Sequence, residues 1–97
     1  MFGERLKSLR LAKGLSQEEL GKRFGVTKQT ISNWENENIT PALDTFINIV
    51  EYFHSTPNYM LGYEMKVSID VSGLSDLEIA HLMLLIDDLK ARHSEKE

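Results

Sequence analysis

The 97-residue sequence predicts an all-α domain of five short helices, followed by a strand and a longer helix. Through the first 62 residues, apolar side chains recur at helical spacing, and glycines and N-cap signals divide them into short segments. Beyond that point, an alternating apolar pattern precedes a second amphipathic stretch. We therefore expect two parts, a helical domain over residues 1–62 and an extension over residues 63–97.

Glycine stops separate the first two helices. A helix is predicted over residues 2–13, and Gly14 is a good terminator. The sequence Ser16-Gln-Glu-Glu19 is a capping box, in which a serine and a glutamate satisfy each other's backbone N–H groups. It predicts a second, short helix that ends at Gly25.

The third helix follows the second after a short turn. Thr27 is a good N-cap for a helix over Lys28 to Glu35. A turn of about three residues that contains Gly25 therefore joins the second and third helices. This arrangement is the helix-turn-helix unit.

Two Thr-Pro pairs predict the fourth and fifth helices. Proline is favoured at the first position of a helix, so Thr40-Pro41 is expected to begin the fourth helix. Thr56-Pro57 is expected to begin a one-turn fifth helix that ends at Gly62, with Tyr59 and Leu61 as its anchors. The predicted inner face of the fourth helix consists of Leu43, Phe46, Ile47, Val50 and Phe53.

On a helical wheel, the third helix has one apolar side and one side rich in amides. Ile31, Trp34 and Glu35 fall on the inner side. The outward side is predicted to consist of Lys28, Gln29, Ser32, Asn33 and Asn36. Gln and Asn can pair with adenine, and Lys with guanine, in a major groove wide enough for a helix. The alternative is a merely solvated face, although such faces usually carry Glu and Lys rather than amides.

The last third of the chain suggests self-association. Residues 65–71 alternate between apolar and polar side chains, which predicts a strand that includes Val67 and Ile69. A capping box at Ser75 to Glu78 then opens a helix to about His93. Its main apolar stripe is predicted to be Ile79, Leu82, Met83, Ile86 and Leu89.

A lone strand and a helix with two apolar faces both need partners. The second face consists of Leu77, Ala80 and Leu84, and the 79-82-86-89 spacing fits a short heptad seam. We therefore expect residues 63–97 to form a homodimer, so that two third helices can meet successive major grooves of a palindromic site. The alternative is a last helix folded wholly onto its own domain.

Composition narrows the function classes. The net charge is −4, yet residues 1–30 hold seven Lys and Arg against three Glu, and a local positive face can attract phosphates. There is no Cys, which fits a cytoplasmic protein, and no apolar run approaches the ~20 residues of a membrane span. His54, His81 and His93 lack the spacing of a metal site or a triad, so neither an enzyme nor a cofactor is expected.

Several of these motifs occur together in one known family. The segments GLSQEEL and GVTKQTISNWE, the proline before the fourth helix and the tyrosine-containing segment before Gly62 resemble the phage repressor and Cro-type (XRE-like) helix-turn-helix family. The resemblance covers residues 5–62. It implies a five-helix bundle that binds double-stranded operator DNA, in a nucleoid-associated transcriptional regulator, a repressor, of bacterial or phage origin.

The resemblance also implies roles for single residues. Gln17 matches a phosphate-contacting position, and Thr27 matches one whose hydroxyl or amide meets phosphate. Arg10 and Glu35 match an ion pair between the first and third helices, although direct DNA contact by Arg10 is an alternative. Trp34 is expected to pack rather than to stack on bases. Base-contacting positions are matched by Lys28, Gln29, Ser32 and Asn33.

The sequence departs from the family after Glu35. Many members continue with Gly and a basic residue, whereas this chain has Asn36, Glu37 and Asn38. Asn36 is expected to take the left-handed turn that Gly usually supplies, and Glu37 has the wrong charge for a loop along DNA. We expect few phosphate contacts there, with backbone amides and Asn38 or Thr40 as substitutes.

A second class of function remains open at this stage. The apolar last helix would also suit a protein-interaction module, such as an antitoxin or an antagonist of another repressor, that binds a regulatory protein. Symmetric pairing of residues 65–89 favours the DNA-binding regulator, whereas an apolar surface left exposed favours the interaction module.

Overall fold

A computed structural model describes residues 1–63 and 68–95 of the chain. Six α-helices fall within those ranges, and no strand does, so the predicted all-α class is confirmed. The helices are α1 (Phe2–Ala12), α2 (Gln17–Phe24), α3 (Lys28–Glu35), α4 (Leu43–Tyr52), α5 (Pro57–Leu61) and α6 (Asp76–Glu95). Within the same ranges, no helix combines the length and the apolar character that a bilayer span requires.

The chain divides into two compact units, Met1–Val67 and Ser68–Glu97. The boundary expected from the sequence, after residue 62, stays a prediction, because residues 64–67 are not described. The first unit holds α1 to α5 and a single hydrophobic core, and the second holds α6. The buried core residues are Phe2, Leu6, Leu20, Ile31, Trp34, Ile49, Val50 and Met60.

Two sequence-based expectations about α4 are wrong. The helix begins at Leu43 and not at Pro41, because Ala42 is still extended, at ψ 157°, and accepts the first helical bond from the Phe46 N–H. The fixed φ of proline suits an extended segment as well as a first helical turn. The predicted inner face is wrong at Leu43 and Ile47, which are exposed, and it omits Ile49, which is fully buried. Its other members are in place, since Val50 is buried and Phe46 and Phe53 pack against the core.

The anchor of α5 is also different from the expected ones. Thr56 caps this helix by accepting a hydrogen bond from the Tyr59 N–H, and Gly62 ends it. The fully buried side chain is that of Met60, while Tyr59 packs partly buried against the core and Leu61 is half-exposed. In a five-residue helix, one turn has too few positions for spacing to identify the inward side.

The strand predicted over residues 65–71 is not supported. Residues 64–67, which include Val67, lie outside the described residues, and residues 68–71 are neither helix nor strand. Ile69 is exposed, and the Asp70 carboxylate bonds the backbone and hydroxyl of Ser72, which forms a local turn. An alternating pattern gives side-chain placement but does not supply the neighbouring strand that a ladder needs.

The second unit begins its helix as the sequence predicts. The Glu78 N–H donates to the Ser75 hydroxyl at 3.1 Å, and the Ser75 N–H donates to the Glu78 carboxylate at 2.9 Å. These bonds satisfy two N–H groups that a helix start leaves without helical partners. The capping box therefore fixes where α6 starts without help from other elements.

Candidate nucleic-acid interface

A three-residue turn joins α2 to α3. Gly25 ends α2 in the left-handed conformation, at φ 69° and ψ 30°, and Thr27 is extended and accepts a 3.1 Å hydrogen bond from the Thr30 N–H. The Val26 N–H also donates back to the Gly21 carbonyl at 2.9 Å. These local bonds set the length of the turn and the residue at which α3 begins.

The backbones of α2 and the turn touch at Gly21. A Cβ atom on this residue would lie 2.7 Å from the Val26 carbonyl oxygen, closer than real Cβ contacts. The absence of a side chain at Gly21 therefore allows α2 to approach the start of α3. This contact helps to set the angle at which α3 leaves the bundle.

Two core residues hold α3 from behind. Ile31 is fully buried and the Trp34 side chain is only 4% exposed, both within the hydrophobic core. The indole therefore packs inside the protein, where it is not available to stack on a base. With these two positions buried, the rotation of α3 about its own axis is fixed.

A buried carboxylate connects α1, α2 and α3. The Glu35 carboxylate accepts hydrogen bonds from Arg10 Nε at 2.6 Å and from Arg10 Nη2 at 3.1 Å. Both side chains are more than nine-tenths buried. Arg10 Nη1 also donates to the Leu15 carbonyl at 2.9 Å, and Gln17 Nε2 donates to Glu35 at 3.1 Å. The network braces α3 against the two preceding helices and leaves no solvent-facing role for the Arg10 guanidinium.

The bond to Glu35 changes what Gln17 can offer a phosphate. Its side chain is half-buried and directed at the carboxylate. A phosphate at this helix start would therefore bind through backbone N–H groups of the first turn of α2, or would draw the Gln17 amide away from Glu35. Glu18 and Glu19 lie in the same turn, and their negative charge opposes an anion there.

The capping glutamate at the start of α2 keeps its charge in moderately acidic solution. The Ser16 backbone N–H, and then the Ser16 hydroxyl, hydrogen-bond with Glu19 and lower the pKa of its carboxyl below the ordinary value of 4.5. Both bonds favour the ionised form. The first turn of α2 is therefore negatively charged at neutral pH.

The outward side of α3 carries hydrogen-bonding side chains in pairs. Lys28 and Gln29 are exposed, and Ser32 and Asn33 are half-exposed. Gln29 Nε2 donates to Asn33 Oδ1 at 3.2 Å, and Asn36 Nδ2 donates to the Ser32 hydroxyl at 3.3 Å. Each pair spans one turn, so the amides hold each other in place while they retain donors and acceptors for an incoming base edge.

The loop after α3 corrects one prediction. Asn36 has φ −88°, and the left-handed residue is Glu37, at φ 61°. The Asn38 N–H donates to the Asn33 carbonyl and the Glu37 N–H to the Trp34 carbonyl, which is the Schellman ending of a helix. The Glu37 carboxylate then accepts a 3.4 Å bond from the Gly3 N–H, near the positive end of α1. The Glu37 carboxylate therefore bonds α1 and is not available to contact a DNA phosphate. Asn36 and Asn38 are exposed.

Several basic residues of the first unit are held on aromatic rings. The Lys13 ammonium and the Arg23 guanidinium both lie over the ring of Tyr52, at 4.7 and 4.9 Å from its centre. The Arg5 guanidinium lies 4.3 Å over Tyr59. Such contacts reduce the freedom of a cation to follow phosphates. On the outward side of α3, the cation is Lys28, next to the N-terminal end of the helix.

The residues predicted to form a dimer lie mainly on α6. Leu82, Met83, Ile86 and Leu89 are exposed, and Ile79 is half-exposed. Ile69 is exposed ahead of the helix, and Val67 is not among the described residues.

Comparison with known proteins gives the family. Residues 6–60 match the model of a helix-turn-helix family. The chain belongs to this family. The phage CTXphi transcriptional repressor RstR of Vibrio cholerae is 26% identical, over all of this chain and 95% of its own length. The uncharacterized HTH-type transcriptional regulator YobD of Bacillus subtilis is 31% identical over 64% of this chain, which spans 55% of YobD. The antitoxin HipB of Escherichia coli K12 is 39% identical over 47% of this chain, which spans 52% of HipB.

A solved structure supports the Cro-type resemblance. The P22 c2 repressor, in complex with a synthetic operator, superimposes with a TM-score of 0.61 at 28% identity. The match covers 66% of this chain and 97% of the repressor chain. The five-helix repressor-like architecture expected for the first unit is therefore the one observed.

Two hydrogen bonds of the site could not be predicted from the spacing of residues in the sequence. The bond between Gln17 and Glu35, and that between Glu37 and Gly3, join residues 18 and 34 positions apart. The close contact at Gly21 had one available signal, a glycine inside a predicted helix, where that residue is unfavourable without a packing reason.

Proposed function

We propose that this chain is a sequence-specific DNA-binding transcriptional regulator, a repressor, that reads bases with the outward side of α3. One observation carries the proposal: Gln29 and Asn33 form a mutually bonded amide pair on the outward side of a helix whose inner side is buried. An α-helix such as α3 can enter a major groove, where Gln and Asn amides recognise adenine. The regulators and repressors among the relatives support this function.

The proposed complex is a homodimer on a two-fold symmetric operator. A single α3 with a few base contacts binds weakly, and linkage of two copies raises affinity through effective concentration. Two reading helices about 34 Å apart along DNA would match successive major grooves. The exposed apolar residues of α6 support this assembly.

Phosphate contacts are expected to be few. The Glu37 carboxylate and the acidic first turn of α2 both reduce attraction to the DNA backbone. Backbone N–H groups at the start of α2, the Thr27 hydroxyl, Lys28 and Asn38 are the proposed contacts. Because each neutralised phosphate steepens the salt dependence of binding, we expect a shallow slope for this protein.

The decisive experiment is selection of DNA sites from a random pool with the parent and with Gln29→Ala and Asn33→Ala. The parent should enrich a palindromic site. Each variant should lose discrimination at the contacted base by roughly 10-fold, since one good amide–adenine pair contributes ~1–3 kcal/mol. Binding to unrelated DNA should change little.

Asn48→Ala is the matched control, because Asn48 is an exposed amide on α4. It should select the same site as the parent. Equal discrimination by all three variants would show that this side of α3 does not read bases.

A second candidate function rests on α6. Its exposed apolar side chains, and the similarity of 47% of the chain to the antitoxin HipB, also fit a module that binds another protein. Light scattering on the purified chain separates the two. A stable dimer supports the DNA-binding assembly, whereas a monomer that forms a complex only when a second protein is added supports the interaction module.

A further inference from the structure

The proposed homodimer needs a surface that a second copy can cover. Along α6, apolar residues at positions 79, 82, 86 and 89 alternate in steps of three and four, which places them at the a and d positions of a heptad. Leu82, Ile86 and Leu89 are 40%, 47% and 45% exposed within the single chain. This row of four residues is called the seam below.

The residues on either edge of the seam are sorted by charge. The e positions are Asp76, Met83 and Lys90. The g positions are Glu78, Leu85 and Arg92. Each edge therefore runs acidic, apolar, basic from the start of α6 to its end.

This order distinguishes the two orientations in which two seams can meet. In a parallel pair, a g residue faces the e residue of the next heptad, so Glu78 would meet Met83 and Leu85 would meet Lys90. Neither of these two pairs within the described part of α6 joins opposite charges, and the acidic ends of the two helices would lie together. In an antiparallel pair, e faces e and g faces g, so the acidic end of each edge meets the basic end of the other.

We propose that α6 pairs with α6 of a second copy in antiparallel orientation, with the two-fold axis at the level of Leu84. Asp76 then faces Lys90 of the second copy, and Glu78 faces Arg92 of the second copy, and symmetry repeats both pairs. Met83 and Leu85 lie at the centre of their edges and meet their own counterparts, which widens the apolar contact. The inference rests on the proposed homodimer, but not on the reading role of α3.

The same arrangement aligns two other electrostatic features. Antiparallel helices place the positive end of one macrodipole beside the negative end of the other. Arg92 reaches Asp88 on its own helix through Nη2, at 3.0 Å and in an exposed position, and such a pair is weak enough to yield to a second carboxylate.

The orientation also decides where the two DNA-binding units are attached. At a rise of about 1.5 Å per residue, the two Asp76 positions lie roughly 24 Å apart along an antiparallel pair. The two units leave from opposite ends of the pair, which suits half-sites about 34 Å apart. A parallel pair would attach both units at one end.

A charge exchange tests the orientation without disturbing the capping box at Glu78. In an antiparallel pair, Asp76→Lys places two ammonium groups together twice per dimer, and Lys90→Asp does the same with two carboxylates. Each single variant should weaken self-association about 10-fold at low salt. The double variant should return close to the parent, although both changes oppose the macrodipole. In a parallel pair these residues do not face each other, so neither single variant should weaken self-association and the double variant should rescue nothing.

A distance measurement gives an independent answer. The chain has no Cys, so one introduced cysteine carries one spin label. Labels at Ser94→Cys should lie about 30 Å apart along an antiparallel pair, ten residues on either side of the axis. Labels at Leu84→Cys, the control at the axis, should show only the separation across the pair. In a parallel pair the two positions would give similar distances.

The outcomes separate this inference from the proposed function. A long Ser94 distance together with rescue in the double variant supports antiparallel pairing. Similar distances at both positions, or a chain that stays monomeric, overturns it. Site selection with the Gln29 and Asn33 variants tests base reading by a separate signal, so either idea can fail while the other stands.

Discussion

Removal of Arg10 is the most informative test of how α3 is held. Arg10→Met keeps an apolar side chain of similar length but takes away the three hydrogen bonds that the guanidinium makes to Glu35 and Leu15. The Glu35 carboxylate would remain buried with Gln17 as its donor. A buried charge that loses its partner keeps its desolvation cost without the compensating attraction.

The expected loss follows from that burial. Breaking a buried ion pair on one side costs about 3–5 kcal/mol of unfolding free energy. A small domain has roughly 5–15 kcal/mol in total, so the variant should lose between about a fifth and all of its stability. Glu35→Leu should cost a similar amount, because the guanidinium would then be buried with the Leu15 carbonyl alone.

The double variant Arg10→Met with Glu35→Leu completes the cycle. Because both charges are gone, it should lie within about 1 kcal/mol of the parent or exceed it. The coupling energy between the two positions should therefore be about 5 kcal/mol or more. Urea unfolding measures this through Trp34, the single tryptophan, which is buried in the same core. Protein concentration must be held constant, because the proposed dimerisation would shift apparent stability.

An exposed ion pair serves as the control. Lys22 and Glu18 are 3.9 Å apart with both side chains largely exposed, so Glu18→Gln should cost less than about 1 kcal/mol. If the Arg10 variant loses no more than the Glu18 variant, or if the double variant loses the sum of its singles, the pair does not brace α3.

Three further predictions concern helix ends. Thr27→Ala should reduce the unfolding free energy by about 1 kcal/mol, because it removes the hydroxyl that caps the start of α3. Thr27→Ser should restore most of this loss, and urea unfolding measures both variants. Gly25→Ala should cost about 1 kcal/mol because Gly25 has φ 69°, and Gly25→Asn should cost less, which the same assay measures. The backbone of Ser75, and then its hydroxyl, lower the pKa of the Glu78 carboxyl below its ordinary 4.5, so the stabilisation is complete above that value and is lost as pH falls through the lowered pKa. Carboxyl NMR titration should show this lowered pKa, and Ser75→Ala should raise it only part of the way towards 4.5, because the backbone N–H of residue 75 remains.

The elements that the sequence predicts well are set by local bonds. The starts of α2, α3 and α6 each depend on a side chain that bonds a backbone group three residues away, as Thr27 does with Thr30. The length of the helix-turn-helix turn follows from such bonds. The inward side of α3 follows equally, because Ile31 and Trp34 are the large apolar residues within it.

The sequence-based predictions are wrong where contacts between residues far apart in the sequence determine the conformation. The rotation of α4 is ambiguous in sequence, because the adjacent pairs Phe46-Ile47 and Ile49-Val50 fit two overlapping apolar faces, and the core selects the one containing Ile49. The left-handed turn after α3 falls on Glu37, where the carboxylate gains a bond to Gly3 that offsets part of the cost of positive φ. Neither the packing of Ile49 nor the bond between Glu37 and Gly3 can be predicted from the spacing of residues along the chain.

The close backbone contact at Gly21 makes the position of α3 sensitive to a single methyl group. A methyl group at Gly21 would have to push the Val26 carbonyl outward by several tenths of an ångström. Hydrogen bonds to a base edge tolerate only about 0.5 Å of displacement, so a shift of this size at the start of α3 would misalign the proposed contacts. A substitution at Gly21 would therefore alter the choice of DNA site without changing any of the residues proposed to contact bases.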